Sequence, residues 1–115
     1  IKIDRLQTKG KRLTVRLTNF TGEDKEIVDV SAIWPAGNGD LKKLWLTQDG
    51  TSWVIWSGSD DPTEAMLDGT DPGWNGATLL TGEGILRFDF ASKVANSGYT
   101  ITVNFTDGTF LDISK

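Results

Sequence analysis

Apolar and polar residues alternate along most of this chain. From Arg12 to Thr18, Leu13, Val15 and Leu17 fall on one side, with Arg12, Thr14, Arg16 and Thr18 on the other. The same period of two returns in Leu86, Phe88 and Phe90, and again in Tyr99, Ile101, Val103 and Phe105. Side chains of a strand point to opposite faces in turn, so each run describes a strand with one dry and one wet face. No sustained helical period interrupts them.

Between these runs the turn chemistry divides the chain. Ile1 to Gln7 reads as a first strand with Ile1 and Ile3 on one face, and Thr8 to Lys11 as a turn. Glu26 to Trp34 is a strand closed by Pro35, which has no N–H for a ladder; Val28, Val30, Ala32 and Trp34 share its apolar face. In Leu41 to Ser57, two apolar runs flank Asp49-Gly50, a dipeptide that favours a type I′ hairpin turn. That register sets Leu46 opposite Trp53 and Leu44 opposite Ile55. On the other side Trp45 faces Val54, with Trp56 at a diagonal. Both faces of the hairpin are then apolar, and each must be covered.

Asp61-Pro62-Thr63-Glu64 has the form of a capped helix start, and with Ala65, Met66 and Leu67 it predicts one short helical turn near residues 62–67. Ala77 to Leu80 is a short pairing segment; Gly84 to Ala91 and Gly98 to Thr106 are strands. Asp107-Gly108 turns the chain into Thr109 to Ser114. A plain two-residue turn there would put Leu111 and Ile113 opposite Phe105 and Phe110, so a bulge or a second covered face is expected. About eight short strands with regularly spaced turns predict an all-β fold, a two-sheet antiparallel sandwich of immunoglobulin-like or jelly-roll-like kind. At 115 residues the chain reads as a single domain, 1–115.

Composition narrows the chemistry. There is no cysteine and no histidine, which removes disulfides, thiolate metal sites and every Ser-His or Cys-His nucleophile. A net charge of −4 and a pI near 4.7 argue against a nucleic-acid partner. No stretch approaches the roughly 20 apolar residues that span a bilayer. Ile1 opens directly into strand-like sequence, as in a processed or excised segment. The acidic, cysteine-free, Thr-, Gly- and Trp-rich composition fits a bacterial or archaeal domain that is extracellular or at the cell surface.

Four sets of residues are candidates for function. Trp45, Trp53, Trp56 and Trp74 are candidates for binding a carbohydrate or a protein partner, because a row of indoles on a sheet face stacks on sugar rings; core packing is the competing use. Ile1, Ile3 and Leu6, on the first strand, are a candidate assembly edge. Asp60, Asp61, Glu64, Asp68 and Asp71 could supply hard oxygens to calcium, although Asp61 and Glu64 have a capping role and the spacing departs from the D-x-D-x-D-G loop. Asn19 and Asn104 open Asn-Phe-Thr tripeptides, the N-glycosylation acceptor pattern. No cofactor is expected, calcium being the one ion in question.

Several strand-plus-turn phrases carry a likeness to known domains. They are Leu17-Thr18-Asn19-Phe20-Thr21-Gly22-Glu23-Asp24, Trp34-Pro35, Asn38-Gly39-Asp40-Leu41-Lys42-Lys43, Ile55-Trp56-Ser57-Gly58, and Gly98 through Gly108. In these the chain resembles secreted bacterial β-sandwich domains of cell-surface and prepilin-like proteins. The resemblance implies a fold and an assembly role, with no catalytic signature. Trp74-Asn75-Gly76, Thr81-Gly82-Glu83-Gly84 and Phe88-Asp89-Phe90 are similar to the closing strands of cellulose-binding modules.

The residues therefore lead to a noncatalytic extracellular domain that works by assembly: a pilus-like or surface-filament subunit, or an adhesive module. Self-association or a neighbouring subunit is the expected partner, through apolar faces and strand edges. The alternative is a carbohydrate-binding module that uses surface tryptophans on a polysaccharide.

Overall fold

The computed structural model describes residues 1–60 and 63–115. Ten strands occur among them: β1 (Lys2–Lys9), β2 (Arg12–Asn19), β3 (Lys25–Ile33), β4 (Leu41–Gln48), β5 (Thr51–Asp60), β6 (Glu64–Asp68), β7 (Ala77–Leu79), β8 (Gly82–Phe90), β9 (Thr100–Phe105) and β10 (Phe110–Ser114). A single 3₁₀ turn spans Ala36–Asn38. The strands form two antiparallel sheets packed face to face. Sheet A runs β1-β2-β8-β4-β5, and sheet B runs β10-β9-β3-β6, with β7 sharing the β6 edge of β3.

The alternation read from the sequence sorts the side chains. Leu13, Val15 and Leu17 on β2, Leu44 and Leu46 on β4 and Phe88 on β8 are fully buried from sheet A. Val30, Leu67 and Ile113 meet them from sheet B. Each such side chain removes enough apolar surface from water to contribute about 1.5–3 kcal/mol.

The turns follow their chemistry. Asp49 and Gly50 both have positive φ, 51° and 73°, as a type I′ turn requires. The last hairpin closes through a three-residue loop in which Gly108 takes φ 86°. The amide of Gly108 donates to the carbonyl of Phe105, and the amide of Phe105 to the carbonyl of Thr109. This extra residue shifts the register so that Phe110 pairs with Asn104. Leu111 and Ile113 then share the core face with Val103 and Phe105, while Phe110 points outward.

Bulges also decide two faces that strict alternation misassigns. In β3 the register slips between Ile27 and Asp29, so Ile27 enters the core and Val28 turns to solvent. In the β4–β5 hairpin the slip between Leu44 and Trp45 pairs Leu44 with Trp56 rather than Ile55. Ile55 and Trp56 are consequently both buried.

The predicted helical turn is corrected. Glu64 to Asp68 forms the extended strand β6, with Ala65 opposite Ala32 and Leu67 opposite Val30. Ala65 and Leu67 are buried between exposed Glu64 and Met66, a period of two that pairing with β3 satisfies. Asp61 and Pro62, the capping part of that expectation, lie outside the described residues.

Candidate interaction surface

The tryptophans do not form a row. Trp56 is buried and bridges to Trp74, which is half-buried in the loop lying along β5. Trp34 is buried too; its Nε1 donates to the Gly39 carbonyl at 2.9 Å and its ring tilts against Phe90. Trp53 is 42% exposed, at the rim of the sandwich beside Gln48, Ala77 and Thr78.

Trp45 lies alone on the outer face of sheet A. Its Nε1 donates to Asp89 Oδ2 at 2.9 Å, the Arg87 guanidinium sits 4.7 Å from the ring centroid, and the Lys43 ammonium 5.3 Å. Cations over an indole face are held by its quadrupole. These two side chains supply from within the molecule the second cover that the hairpin was expected to need. Asp89 Oδ2 also accepts from Arg87 Nη2 at 3.3 Å, and Oδ1 lies 3.1 Å from Arg87 Nε and 4.0 Å from Arg12 Nε as ion pairs.

Strand β1 is an edge strand, bonded only to β2. Ile1, Ile3 and Leu6 are half-buried against the core, so the edge does not present them outward. A bulge between Ile3 and Arg5, and exposed Lys2, Arg5 and Lys9, blunt this edge against strand addition. The opposite edge, β5, is covered. The amide of Ser57 donates to the Gly73 carbonyl, and the amides of Asn75 and Gly76 both donate to the Ile55 carbonyl.

The acidic set is dispersed. Asp60 ends β5, Asp61 lies outside the described residues, and Glu64 stands on the outer face of β6. Asp68 and Asp71 organise one turn: Asp68 Oδ1 accepts from the Thr70 hydroxyl and amide, and Asp71 Oδ2 accepts from the Asp68 amide. The Thr70 hydroxyl, with the Thr70 amide, holds the Asp68 carboxyl below its usual range. Among the described residues no three acidic side chains converge as a metal site would require.

Asn19 is buried, and its amide nitrogen donates to the carbonyls of Glu23, Leu79 and Leu80. Its oxygen accepts from the Thr21 amide and hydroxyl. This side chain ties β2 to the β7–β8 connection and leaves no room for a glycan. Asn104 is half-buried on the outer face of sheet B and donates to Asp29 Oδ1 at 2.6 Å.

Charge divides unequally between the two outer faces, and the pairing of the strands is what brings this about. All four arginines of the chain, Arg5, Arg12, Arg16 and Arg87, stand on the outer face of sheet A. The outer face of sheet B carries Glu26, Asp29, Glu64, Asp68 and Asp112. Lys25, the one basic residue in its strands, is buried. Arg12 and Arg16 are visibly on one wet face in the sequence, but only the strand order β1-β2-β8 brings Arg5 and Arg87 beside them.

Lys25 is paired with Asp107 across the sandwich end. The Lys25 ammonium, with the Thr109 hydroxyl and amide, holds the Asp107 carboxyl far below its usual range. A depressed folded-state pKa gives stability that is present above the unfolded value of 3.8 and lost as pH falls below it. Thermal melts across the acid range are expected to show this loss. In Asp107→Asn that part of the acid dependence should vanish, and stability at neutral pH should fall because the buried Lys25 loses its counter-charge.

No family model matches the chain, nor does any curated protein or solved structure.

Proposed function

We propose that this is a noncatalytic extracellular domain that acts by assembly, as a surface-filament or pilus-like subunit or an adhesive module. The observation that carries the reading is the apolar surface on the outer face of sheet B. Val28, Ile33, Met66 and Phe110 are each exposed by between 43% and 63%. Ile33 and Met66 are diagonal neighbours across β3 and β6, since Ser31 pairs with Met66 and Ile33 with Glu64. Val28 and Phe110 lie toward the other end of the face, beside Asp29 and Asn104, so the apolar surface forms two patches among polar residues, and exposed patches of this kind are what a protein contact buries. Two depressions among the described residues, one beside Arg16, Asp49 and Glu83 and one beside Lys9, Arg12 and Phe90, are open to solvent, a shape that fits contact with another surface.

The test is self-association of the purified chain, followed by light scattering with size-exclusion chromatography and by electron microscopy. The expected result is mass that rises with concentration, and weaker association in Ile33→Ser/Met66→Ser. A chain that stays monomeric at every concentration would remove the reading.

A further inference from the structure

Each outer face carries a feature that is unfavourable in an isolated copy. On sheet A, Arg5 stands directly opposite Arg16, and Lys9 directly opposite Arg12. On sheet B, Asp29 stands directly opposite Asp68. Like charges in directly opposed cross-strand positions are destabilising, whereas opposite charges there stabilise by about 0.2–1 kcal/mol. Among the described residues neither Arg5 nor Arg16 has a carboxylate within ion-pairing distance. The pairs on one face are all positive, and the pair on the other is negative. On sheet A, Asp4, Glu83 and Asp89 are outnumbered by the basic side chains around them, while the described strands of sheet B place carboxylates and no exposed basic side chain on the outer face.

We infer that the arginine face of sheet A docks on the acidic outer face of sheet B of a second copy. This rests on the assembly reading above and specifies its interface. The two outer faces lie on opposite sides of one sandwich, so the contact is head-to-tail. Every docked copy presents a fresh face of each kind, and the contact repeats along a row instead of closing as a twofold dimer. The same docking covers Ile33 and Met66, which stand among the acidic residues of sheet B. A stable contact needs about 800 Å² from each partner, which fits within the broadest 38 × 30 Å section of the body. With the β1 edge of sheet A blunted and the β5 edge covered at Ile55 and Ser57, the outer faces are broad open surfaces beside the β6 and β10 edges of sheet B.

Sedimentation velocity of the full chain, in salt of about 10 mM and about 1 M, tests the contact, because screening falls from about 30 Å to about 3 Å between them. The wild type should associate in low salt and largely dissociate in high salt. Arg16→Glu is the informative variant on sheet A, since it turns the Arg5–Arg16 repulsion into an attraction. Its melting temperature should hold or rise while its association weakens by about tenfold or more. Asp29→Lys reverses the charge on sheet B with loss of the Asn104 bond, so its association is read beside its melting temperature, and Glu64→Lys repeats the test at an exposed position that leaves that bond intact. Mixing the Arg16→Glu chain with either sheet B variant should restore association, because one copy of each then offers an intact face to the other.

Association that ignores salt and both kinds of charge reversal would overturn this interface while leaving assembly in place. So would loss of association in the sheet A variant alone, which points to a contact between two like faces. A monomer at low salt that instead binds polygalacturonate through Arg16 would overturn both this inference and self-assembly, and would make the arginine face a site for an anionic polysaccharide.

Discussion

Asn38→Ala is expected to destabilise the fold by about 3 kcal/mol, a large part of the total stability of a domain of this size. Among the described residues Asn38 is the most deeply buried of the polar side chains, with no solvent exposure at the end of the 3₁₀ turn. Its amide nitrogen donates to the Tyr99 hydroxyl at 2.8 Å, and its oxygen accepts from the Ala95 amide at 2.9 Å. The Tyr99 hydroxyl in turn donates to the Ala95 carbonyl at 2.7 Å. One side chain thus satisfies the connections on both sides of the sandwich end, before β4 and before β9. Alanine would take one partner from the buried Tyr99 hydroxyl, remove the acceptor of the part-buried Ala95 N–H, and leave a cavity where a fully buried side chain stood.

Urea denaturation of Asn38→Ala, Tyr99→Phe and the double variant would measure the effect. Tyr99→Phe should cost less, about 1–2 kcal/mol, because only one hydroxyl is removed. The double variant should fall short of the sum, since the two residues share a bond. Additive losses would mean that the triangle of Asn38, Tyr99 and Ala95 is not formed. Burial raises the Tyr99 pKa above its ordinary 10.0 despite the bond from Asn38. A raised pKa gives a contribution that is complete below the unfolded value and is lost as pH rises through the folded one. Tyr99→Phe should therefore be the less pH-sensitive protein above pH 10. Tyr99 is the only tyrosine, so its ionisation can be followed directly by absorbance.

The parts of this architecture that were legible in the sequence are those that local chemistry dictates. The alternation in β2, β8 and β9, and the positive φ demanded by Asp49-Gly50, specify faces and turns with no knowledge of the partner strand. What failed depended on pairing. Counting in twos places Val28 inward, and the bulge that turns it outward arises where β3 pairs with β9. Glu64 to Leu67 looked helical because a cap motif is local, whereas the β3 edge that captures β6 is over thirty residues away in the chain. The same reason hid the arginine face. Arg5, Arg16 and Arg87 are far apart in sequence and become neighbours only through the order β1-β2-β8. The tryptophans illustrate the converse. Their number was legible, but which are buried was set by the slip in the β4–β5 register, and that slip sends Trp56 into the core.

Gly73→Ala should be as damaging as the loss of Asn38, at about 3 kcal/mol, for a reason that lies wholly in the backbone. A Cβ built on Gly73 would stand 1.7 Å from the Ser57 carbonyl oxygen, and that oxygen belongs to a paired strand and cannot swing aside. The loop would have to withdraw from β5. With it would go the bond from the Ser57 amide to the Gly73 carbonyl and the two bonds from Asn75 and Gly76 to the Ile55 carbonyl. Each is worth about 1 kcal/mol. The Trp56–Trp74 bridge would open, so tryptophan fluorescence should shift to the red and become easier to quench with acrylamide. Thermal melting would report the stability. Unchanged melting and fluorescence would show that the loop does not lie on β5.

The consequence for assembly separates two routes. Withdrawal of the loop exposes the N–H of Ser57 and the C=O of Ile55 on a bare strand edge, the kind of template that adds strands from other chains. Association of Gly73→Ala should then be stronger than that of the wild type and should persist in high salt. The face-to-face contact proposed for the native chain is charge-dependent and should not persist there. A covered edge that keeps strands from adding indiscriminately is the counterpart of the two open faces proposed to meet one specific neighbour.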